Sequence, residues 1–373
     1  MAKKILIAAG GTGGHVIPAM AVTEELVAAG CTVLFMTDKP GHGIFEKVDN
    51  NDLLKNPSFQ VIRLKTHHFS GNFLSKLLAL AGFAADAFLV LWHVVQKQPS
   101  VAIGLGGYMA FWPLFYANLF RKPCFLYAAD AVLGRTNQAL VHFATKIWLG
   151  FSNTKGLSAA TQKKATYLGI IIRDSFKKAV FHKRQATEPL RLLVLGGSQG
   201  ASIFGKIIPQ AIKLLPPAAQ ALLDITQQCH PSTLKETQNA YQKIGAQVRT
   251  TTFIKDVVSA IQNAHFVITR SGASAIGEIS AIGRPALLVP YPFASRDHQT
   301  ANAHAAESLF GFTACAQRDL TPRFVADLLA GYIQNPKDLE KAAQAACGKE
   351  AKENTLDLAI ADILRILRGY AGL

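Results

Sequence analysis

The chain has few charged residues, and fewer acidic than basic ones. Charged side chains make up 17% of its 373 residues, which is low for a soluble protein, and half of all residues are hydrophobic. The chain can therefore bury large cores, and its length suggests two domains. Since 39 basic residues outnumber 24 acidic ones, the formal net charge is +15. This excess favours anionic partners such as nucleotides, nucleic acid or anionic lipid, although a basic surface can also serve solubility alone.

Cysteine is equally scarce. The five cysteines are dispersed, their number is odd, and no Cys-x-x-Cys pair occurs. A structural zinc site is therefore not expected, and a reducing compartment is favoured. The apolar run that follows the two N-terminal lysines, Ile5 to Ala9, is shorter than a secretion signal requires.

Long apolar runs are also rare, and the run over residues 77–95 is long enough to resemble a membrane span. Asp86 lies at its centre, where insertion into a bilayer costs about 2.5–3.5 kcal/mol. The segment is therefore predicted to be a long helix buried on one side. The segment has further apolar residues, and so does the stretch 111–122; the basic residues Lys76, Lys97, Arg121 and Lys122 flank them. This combination predicts a patch that contacts an anionic membrane. Burial of all these apolar side chains in the core is the alternative.

Strand-like and helix-like segments alternate along the whole chain, which predicts an α/β protein with parallel sheets. The segments 3–26 and 190–212 repeat one design, a strand followed by a glycine turn and a helix, and the polar stretch 173–189 between the two halves is typical of a linker. Two Rossmann-like domains with a ligand cleft between them follow, over residues 1–170 and 171–350. Residues 351–373 are predicted to form a C-terminal helix that packs back toward the N-terminal domain.

Three glycine-rich loops each follow a predicted strand: Gly10–His15, Gly104–Tyr108 and Gly196–Gly200. Glycine permits positive φ and lets a ligand approach the backbone, and the N-terminus of the next helix attracts anions. In open α/β sheets, ligands bind at this edge. Three such loops together indicate a phosphate-containing ligand more strongly than any one of them.

Two familiar phosphate motifs do not match these loops. The dinucleotide pattern fails because Val16 stands where its third glycine is required, although Asp38 follows the second strand, where a ribose-binding acid would lie. A nicotinamide-dependent oxidoreductase therefore stays open as an alternative. The ATPase P-loop pattern fails because Ile207 occupies the position of the metal-binding hydroxyl.

The second half contains the stretch RSGASAIGE, in which small residues open a helix and Glu278 follows one to two turns later. Helix-start amides can hold phosphate oxygens, and a carboxylate at that distance can accept both hydroxyls of a ribose. An ordinary capped helix with a surface glutamate is the alternative. The polar run Asp297–Asn302 can read sugar hydroxyls or simply cap a helix.

Five motifs, in their order and spacing, resemble those of the MurG family of N-acetylglucosaminyltransferases. They are GGTGGHVIPA, GLGGY, GGSQGA, RSGA with GE, and HQ followed by NA. The resemblance implies a GT-B fold of two Rossmann-like parallel-sheet domains with an interdomain cleft. It also implies a UDP-N-acetylglucosamine donor bound mainly to the second domain and a polyprenyl-diphosphate muramoylpentapeptide acceptor bound to the first. The expected location is peripheral, on the cytoplasmic face of the bacterial inner membrane, and no nucleic acid partner is expected.

The resemblance also implies roles for single residues. His15 would be the catalytic base, Glu278 would take the ribose hydroxyls, and Ile254 would lie along the uracil. Arg173 and the loop around Ser198 would face the diphosphate. The full donor set is Thr12, Gly13, Gly14, Arg173, Ser198, Gln199, Ile254, Ala273, Ser274, Ala275, Glu278, His298 and Gln299. The acceptor set is Gly106, Gly107, Tyr108, Asp130 and Asn137, with Thr12 nearby.

The sequence departs from this family in the acceptor half. Tyr127-Ala128-Ala129-Asp130 replaces the usual His-Glu-Gln-Asn, and Ile170–Ile172 replaces Asn-Pro-Val before Arg173. A GT-B transferase with a different acceptor therefore stays open, as does a non-catalytic scaffold at the membrane. No Asp-x-Asp pair occurs, so the diphosphate site is expected to work without a metal or other cofactor.

Overall fold

The computed structural model describes residues 3–11, 13–47, 51–65, 72–177, 183–185, 188–197, 201–246, 248–346 and 355–369. The chain divides into two compact units. The first unit contains residues 1–173 and 354–373, and the second unit contains residues 174–353.

The first unit is built on a seven-stranded parallel sheet with the strand order β3-β2-β1-β4-β5-β6-β7. The strands are β1 Lys4–Ala8, β2 Thr32–Thr37, β3 Phe59–Arg63, β4 Val101–Gly104, β5 Cys124–Ala128, β6 Lys146–Leu149 and β7 Ala165–Tyr167. The helices are α1 Gly13–Ala28, α2 Lys39–Lys47, α3 Asn51–Lys55, α4 Phe73–Lys97, α5 Phe111–Leu119, α6 Arg135–Leu140, α7 Ala159–Gln162 and, from the C-terminus, α17 Thr355–Gly369.

The central strands of this sheet are covered on both faces, and their sequences reflect it. Every residue of β4 and β5 is buried, and so is every residue of β1 after Lys4. Strands in this position are continuous apolar runs because neither face contacts water. β1 pairs with β2 on one side and with β4 on the other, so the loops that follow these three strands emerge side by side.

Helix α17 is fixed to the first unit by polar contacts. Asp362 pairs with Lys146 and accepts a hydrogen bond of 3.2 Å from the indole N–H of Trp148. At the start of the helix, the Thr355 hydroxyl donates to the carbonyl of Ile170 at 3.0 Å. Residues more than 180 positions apart therefore close this unit.

The second unit repeats the design with six parallel strands in the order β10-β9-β8-β11-β12-β13. They are β8 Leu190–Leu195, β9 Leu223–Gln228, β10 Val248–Thr251, β11 Phe266–Thr269, β12 Ala286–Leu288 and β13 Thr313–Ala314. The helices are α8 Asp174–Lys177, α9 Ser202–Leu214, α10 Pro217–Gln220, α11 Leu234–Lys243, α12 Val257–Asn263, α13 Ala273–Ile282, α14 His298–Phe310, α15 Pro322–Gln334 and α16 Pro336–Ala346. Two Rossmann-like parallel-sheet units confirm the predicted fold class.

Three local details bear on the sequence predictions. Gly205 and Lys206 lie inside α9, which agrees with the rejection of a P-loop. A short helix, α8, interrupts the stretch 173–189 that was predicted to be a plain linker. Helix α4 buries Asp86, Val90 and Val94 on one side, as predicted for a long one-sided helix.

Candidate active site

In the first unit, two glycine loops pack directly against each other. The imidazole of His15 lies on Gly106: a side-chain carbon at Gly106, whose φ is +106°, would come within 2.8 Å of His15 Nε2. A side-chain carbon at Gly107 would come within 2.8 Å of the Gly10 carbonyl oxygen. The glycines of the second loop are therefore needed so that the first loop and its histidine can approach.

The orientation of His15 follows from its one fixed nitrogen. Nδ1 lies 3.2 Å from the carbonyl oxygen of Gly10. A carbonyl oxygen only accepts hydrogen bonds, so Nδ1 carries the proton in the neutral ring and Nε2 is the nitrogen that can take one up. The geometry thus gives His15 a basic nitrogen at the carboxyl edge of the sheet.

Asp38, the residue on which an oxidoreductase interpretation depends, is fully buried. Its Oδ1 accepts hydrogen bonds from the amides of Gly11 at 3.1 Å and Gly41 at 2.9 Å. Its Oδ2 accepts from the hydroxyl of Tyr108 at 3.3 Å. Both oxygens of the Asp38 carboxylate are bonded to groups of the protein itself, so this side chain does not face a ribose. The oxidoreductase alternative therefore lacks the acidic residue that would bind its dinucleotide.

The two segments that depart from the MurG pattern contact each other. Tyr127 is buried at the end of β5, and its hydroxyl accepts a hydrogen bond of 2.9 Å from the amide of Ile171. Burial raises the pKa of the Tyr127 hydroxyl, which therefore stays protonated. The two segments that differ from the family pattern are therefore linked by a hydrogen bond. The Tyr127 hydroxyl provides the acceptor that the buried backbone N–H of Ile171 needs.

The other predicted acceptor residues follow β5. Asp130 is half-buried, and its carbonyl accepts a hydrogen bond of 3.4 Å from the Thr154 hydroxyl. Asn137 is buried in α6, and its amide donates to the carbonyl of Tyr127 at 3.4 Å. Asn137 therefore supports the backbone of β5, whereas Asp130 lies nearer the surface.

In the second unit, the predicted phosphate-binding helix α13 begins directly after β11. Its N-cap is Gly272, which makes no side-chain cap hydrogen bond, and the helix opens with the small residues Ala273, Ser274 and Ala275. Helix N-termini of this kind favour anions. Glu278 lies in the second turn of α13 and is 8% exposed.

The start of α13 is tied to the start of α14 by two hydrogen bonds. The hydroxyl of Ser271 donates to the Gln299 carbonyl at 2.8 Å, and the buried amide of Asn302 donates to the Ser271 carbonyl at 3.1 Å. The phosphate-type and sugar-type motifs predicted from the sequence are therefore brought together.

The side chains at the start of α14 have defined orientations. The side-chain oxygen Oε1 of Gln299 accepts a 2.9 Å hydrogen bond from the backbone amide of Tyr291, which directs the two side-chain N–H groups of Gln299 away from this contact. His298 Nδ1 lies 2.8 Å from the Ser295 carbonyl. Arg296 and Asp297 both have positive φ, a conformation that costs free energy in non-glycine residues and is often found at binding sites.

Arg270 opens the RSGA motif, and the sequence predicts no role for it. Its guanidinium donates to the carbonyls of Val289 and Pro290, each at 3.1 Å, and to the Gln317 side chain at 2.7 Å. It also lies over the rings of Phe204 and Tyr291. Burial lowers the pKa of Arg270 from its ordinary value, but an arginine stays charged. Arg270 thus fixes the loop that leads to Gln299, and the only sequence signal was its place before Ser-Gly-Ala.

The predicted donor set also includes Ile254, Arg173, Gly13 and Gly14. Ile254 is half-buried in the loop between β10 and α12, next to the exposed Phe253. Arg173 is half-buried at the end of the first unit, and Gly13 and Gly14 open α1. Thr12, Ser198 and Gln199 lie outside the described residues.

Comparisons with known proteins agree with this architecture. Residues 5–149 match the glycosyltransferase family 28 N-terminal domain, and residues 191–358 match the glycosyltransferase family 28 C-terminal domain. The enzyme named UDP-N-acetylglucosamine–N-acetylmuramyl-(pentapeptide) pyrophosphoryl-undecaprenol N-acetylglucosamine transferase from Rhodospirillum rubrum is 33% identical over 362 residues, which cover 95% of this chain and 90% of that enzyme. The same-named enzyme from Mesorhizobium japonicum is 35% identical over 370 residues, with 96% and 94% covered.

Solved structures point the same way. The crystal structure of MurG from Acinetobacter baumannii superposes with a TM-score of 0.75 at 28% identity and covers 97% of this chain and 99% of its own. A UDP-GlcNAc 2-epimerase from Neisseria meningitidis, solved with UDP-GlcNAc bound, has a TM-score of 0.66 at 11% identity, with 97% and 100% covered, and shares the fold alone.

Proposed function

This chain belongs to the MurG family, and we propose that it transfers N-acetylglucosamine from UDP-N-acetylglucosamine to the muramoyl 4-hydroxyl of undecaprenyl-diphospho-muramoylpentapeptide. The observation that carries the proposal is identity of 33–35% with enzymes of that name over at least nine tenths of this chain. The carboxyl edges of the two sheets offer the chemistry that such a transfer needs.

The donor is proposed to bind the second unit. The α13 N-terminus has no side-chain cap and suits a diphosphate, and Glu278 lies in the next turn, where a carboxylate can accept ribose hydroxyls. Gln299, oriented by the amide of Tyr291, presents N–H donors for sugar hydroxyls, with His298 beside it. Ile254 offers an apolar surface for the uracil, and the resemblance to the family adds Arg173 and Ser198 as proposed donors for the leaving diphosphate.

The acceptor is proposed to bind the first unit, beside His15, Tyr108 and Asp130. The reaction is a single displacement that inverts the anomeric carbon. The muramoyl O4 forms a bond to C1 of N-acetylglucosamine, the bond from C1 to the diphosphate oxygen breaks, and the O4 proton passes to His15 Nε2. The electron pair of the broken bond leaves with UDP, whose charge the helix N-terminus of α13 stabilises.

Membrane contact is proposed for the first unit. The outward side of α4 exposes apolar residues along its whole length, with Phe73 82%, Phe88 74% and Trp92 53% exposed. Leu119 and Phe120 at the end of α5 are exposed as well, and Arg121 and Lys122 follow them. By length and composition alone, residues Leu77–Lys97 of α4 could cross a membrane. The buried side of α4 carries Asp86 and packs into the unit, so we propose that the helix lies on the cytoplasmic surface of the inner membrane.

A transfer assay with the full chain tests the proposal. Labelled UDP-N-acetylglucosamine and a short-chain muramoylpentapeptide diphosphate lipid should yield a disaccharide lipid and UDP in equal amounts. Polyprenyl diphosphate without the muramoyl sugar is the matched control and should yield none. If sugar is transferred to another acceptor only, the chain is a GT-B transferase with a different acceptor, the alternative suggested by Tyr127–Asp130 and Ile170–Ile172. Donor binding without turnover would indicate a scaffold, and thermal stabilisation by NAD rather than UDP would overturn the proposal.

A further inference from the structure

A single buried carboxylate joins the three segments that follow β1, β2 and β4. Asp38 is fully buried and accepts hydrogen bonds from Gly11 in the loop after β1, from Gly41 in the first turn of α2 and from Tyr108 after β4. The two amides share Oδ1, whereas the tyrosine hydroxyl binds Oδ2. The position of Asp38 after β2 suggests a ribose ligand, a role that these contacts do not support.

Close packing leaves the carboxylate little room to move. A side-chain carbon at Gly41 would come within 3.0 Å of Oδ1 and 2.1 Å of the Thr37 hydroxyl oxygen. A side-chain carbon at Gly10 would come within 3.2 Å of the same Oδ1. Because Gly10 and Gly41 let the backbone close over Asp38 from two sides, the position of its oxygens fixes the loop after β1 and the start of α2.

The contacts of Asp38 determine what the glycine loop can offer to a ligand. The amide of Gly11 points inward to the carboxylate, and φ of +85° at Gly11 then turns the chain toward the start of α1 and His15. Tyr108, which the acceptor is proposed to contact, is held through its hydroxyl from the other side. A charged acceptor for these donors is stronger than a neutral one.

We propose that Asp38 is a positioning residue for acceptor binding, which orients Tyr108 and the His15 loop without contacting the acceptor itself. The expected effect on acceptor kinetics rests on the proposed function. The expected effect on the backbone around Gly11 and Gly41 rests only on the hydrogen bonds to Asp38. The two consequences can therefore be measured separately.

The kinetic test uses Asp38→Asn. The substitution keeps the shape and one carbonyl oxygen for the amides of Gly11 and Gly41, but it removes the charge and turns an NH₂ group toward Tyr108. We expect kcat/KM for the short-chain acceptor to fall about tenfold, the usual effect of losing a hydrogen bond to a charged group, while the Kd for UDP changes less than twofold. Asp86→Asn, which neutralises another buried carboxylate of the first unit, is the matched control and should change neither value.

Tyr108→Phe extends this test. It should also weaken acceptor kinetics, and the combined variant should lose less than the product of the two single losses, because both remove one shared contact. Multiplicative losses, or an equal effect of Asp38→Asn on donor and acceptor, would overturn the proposal. If Asp38→Asn does not fold, an unchanged acceptor KM in Tyr108→Phe overturns it as well.

The structural test measures amide hydrogen exchange and needs no substrate. Asp38→Asn should accelerate exchange in the loop around Gly11 and in the turn at Gly41, whereas Asp86→Asn and Tyr108→Phe should leave both segments protected. Unchanged protection in Asp38→Asn would refute the positioning role. A wild-type protein that fails to glycosylate the muramoyl lipid would refute the proposed function instead, and the exchange result would still decide the role of Asp38.

Discussion

The glycine loop of the first unit follows β1 and the start of α13 in the second unit follows β11, so both lie at the carboxyl edge of a parallel sheet, but they are held in different ways. In the first unit, the Gly11 amide turns inward to the buried carboxylate of Asp38. In the second unit, α13 begins after Gly272 without a side-chain cap, and the hydrogen bonds that fix it run through the Ser271 hydroxyl and carbonyl instead.

This difference supports the division of labour that we propose between the two edges. The second unit ties the residue before its helix-start N-cap to α14 through the Ser271 hydroxyl and carbonyl, and a helix N-terminus suits an anion such as a diphosphate. The first unit uses a loop amide for its own anchoring, and it presents an imidazole, which suits proton transfer to a base. The predictions below follow from assigning chemistry to the first edge and donor recognition to the second.

The largest effect is expected from His15→Ala in the first unit. If His15 is the base, turnover should fall about 10²–10⁴-fold while the Kd for UDP stays within about twofold, because the donor binds elsewhere. Steady-state kinetics together with UDP titration measures both values. His142→Ala, which changes an exposed histidine of the same unit, is the control. Intact turnover at saturating acceptor, with a raised acceptor KM, would make His15 a phosphate ligand.

A smaller effect, on binding, is expected from Glu278→Ala in the second unit. The ribose hydroxyls would lose a charged acceptor, which is worth about 1.5–3 kcal/mol, so the Kd for UDP should rise more than tenfold. Calorimetric titration of UDP gives the value. Glu307→Ala, at an exposed glutamate of α14, should leave the Kd unchanged. An unaltered Kd in Glu278→Ala would mean that the ribose binds at another place.

The smallest effect is expected at the membrane surface of the first unit. Changing Lys97, Arg121 and Lys122 to glutamate should reduce cosedimentation with anionic vesicles severalfold and leave UDP binding intact, since an anionic surface attracts basic residues and repels glutamate. The exposed apolar side of α4 remains in this variant, so binding is weakened rather than abolished. Lys76 belonged to the same predicted set, but its side chain lies outside the described residues.

The matched control for this variant carries the same charge change in the second unit. Lys206, Lys213 and Lys243 are exposed there and can be changed to glutamate together. If both variants lose vesicle binding equally, net charge rather than a membrane-facing patch explains the attraction. If neither loses it, the basic residues of the patch are not part of the contact.

Much of the fold and part of the site could be predicted from the sequence. Continuous apolar runs such as β1, β4 and β5 predict parallel strands because such strands are buried on both faces. Glycines after β1 and β4 predict ligand loops because only glycine permits the close approach observed between Gly106 and His15. These signals are local, so each can be read from a few neighbouring residues.

The sequence by itself therefore determined two α/β units, the loops at their carboxyl edges and the residue types offered there. Only the tertiary structure decided what those residues contact. Asp38 follows a strand as a ribose ligand would, but it is buried and accepts hydrogen bonds from the segments after β1, β2 and β4. Tyr127 and Ile171, 44 positions apart, form one hydrogen bond. Such pairings depend on the order of strands in the sheet, which places distant segments side by side, and local patterns carry no information about that order.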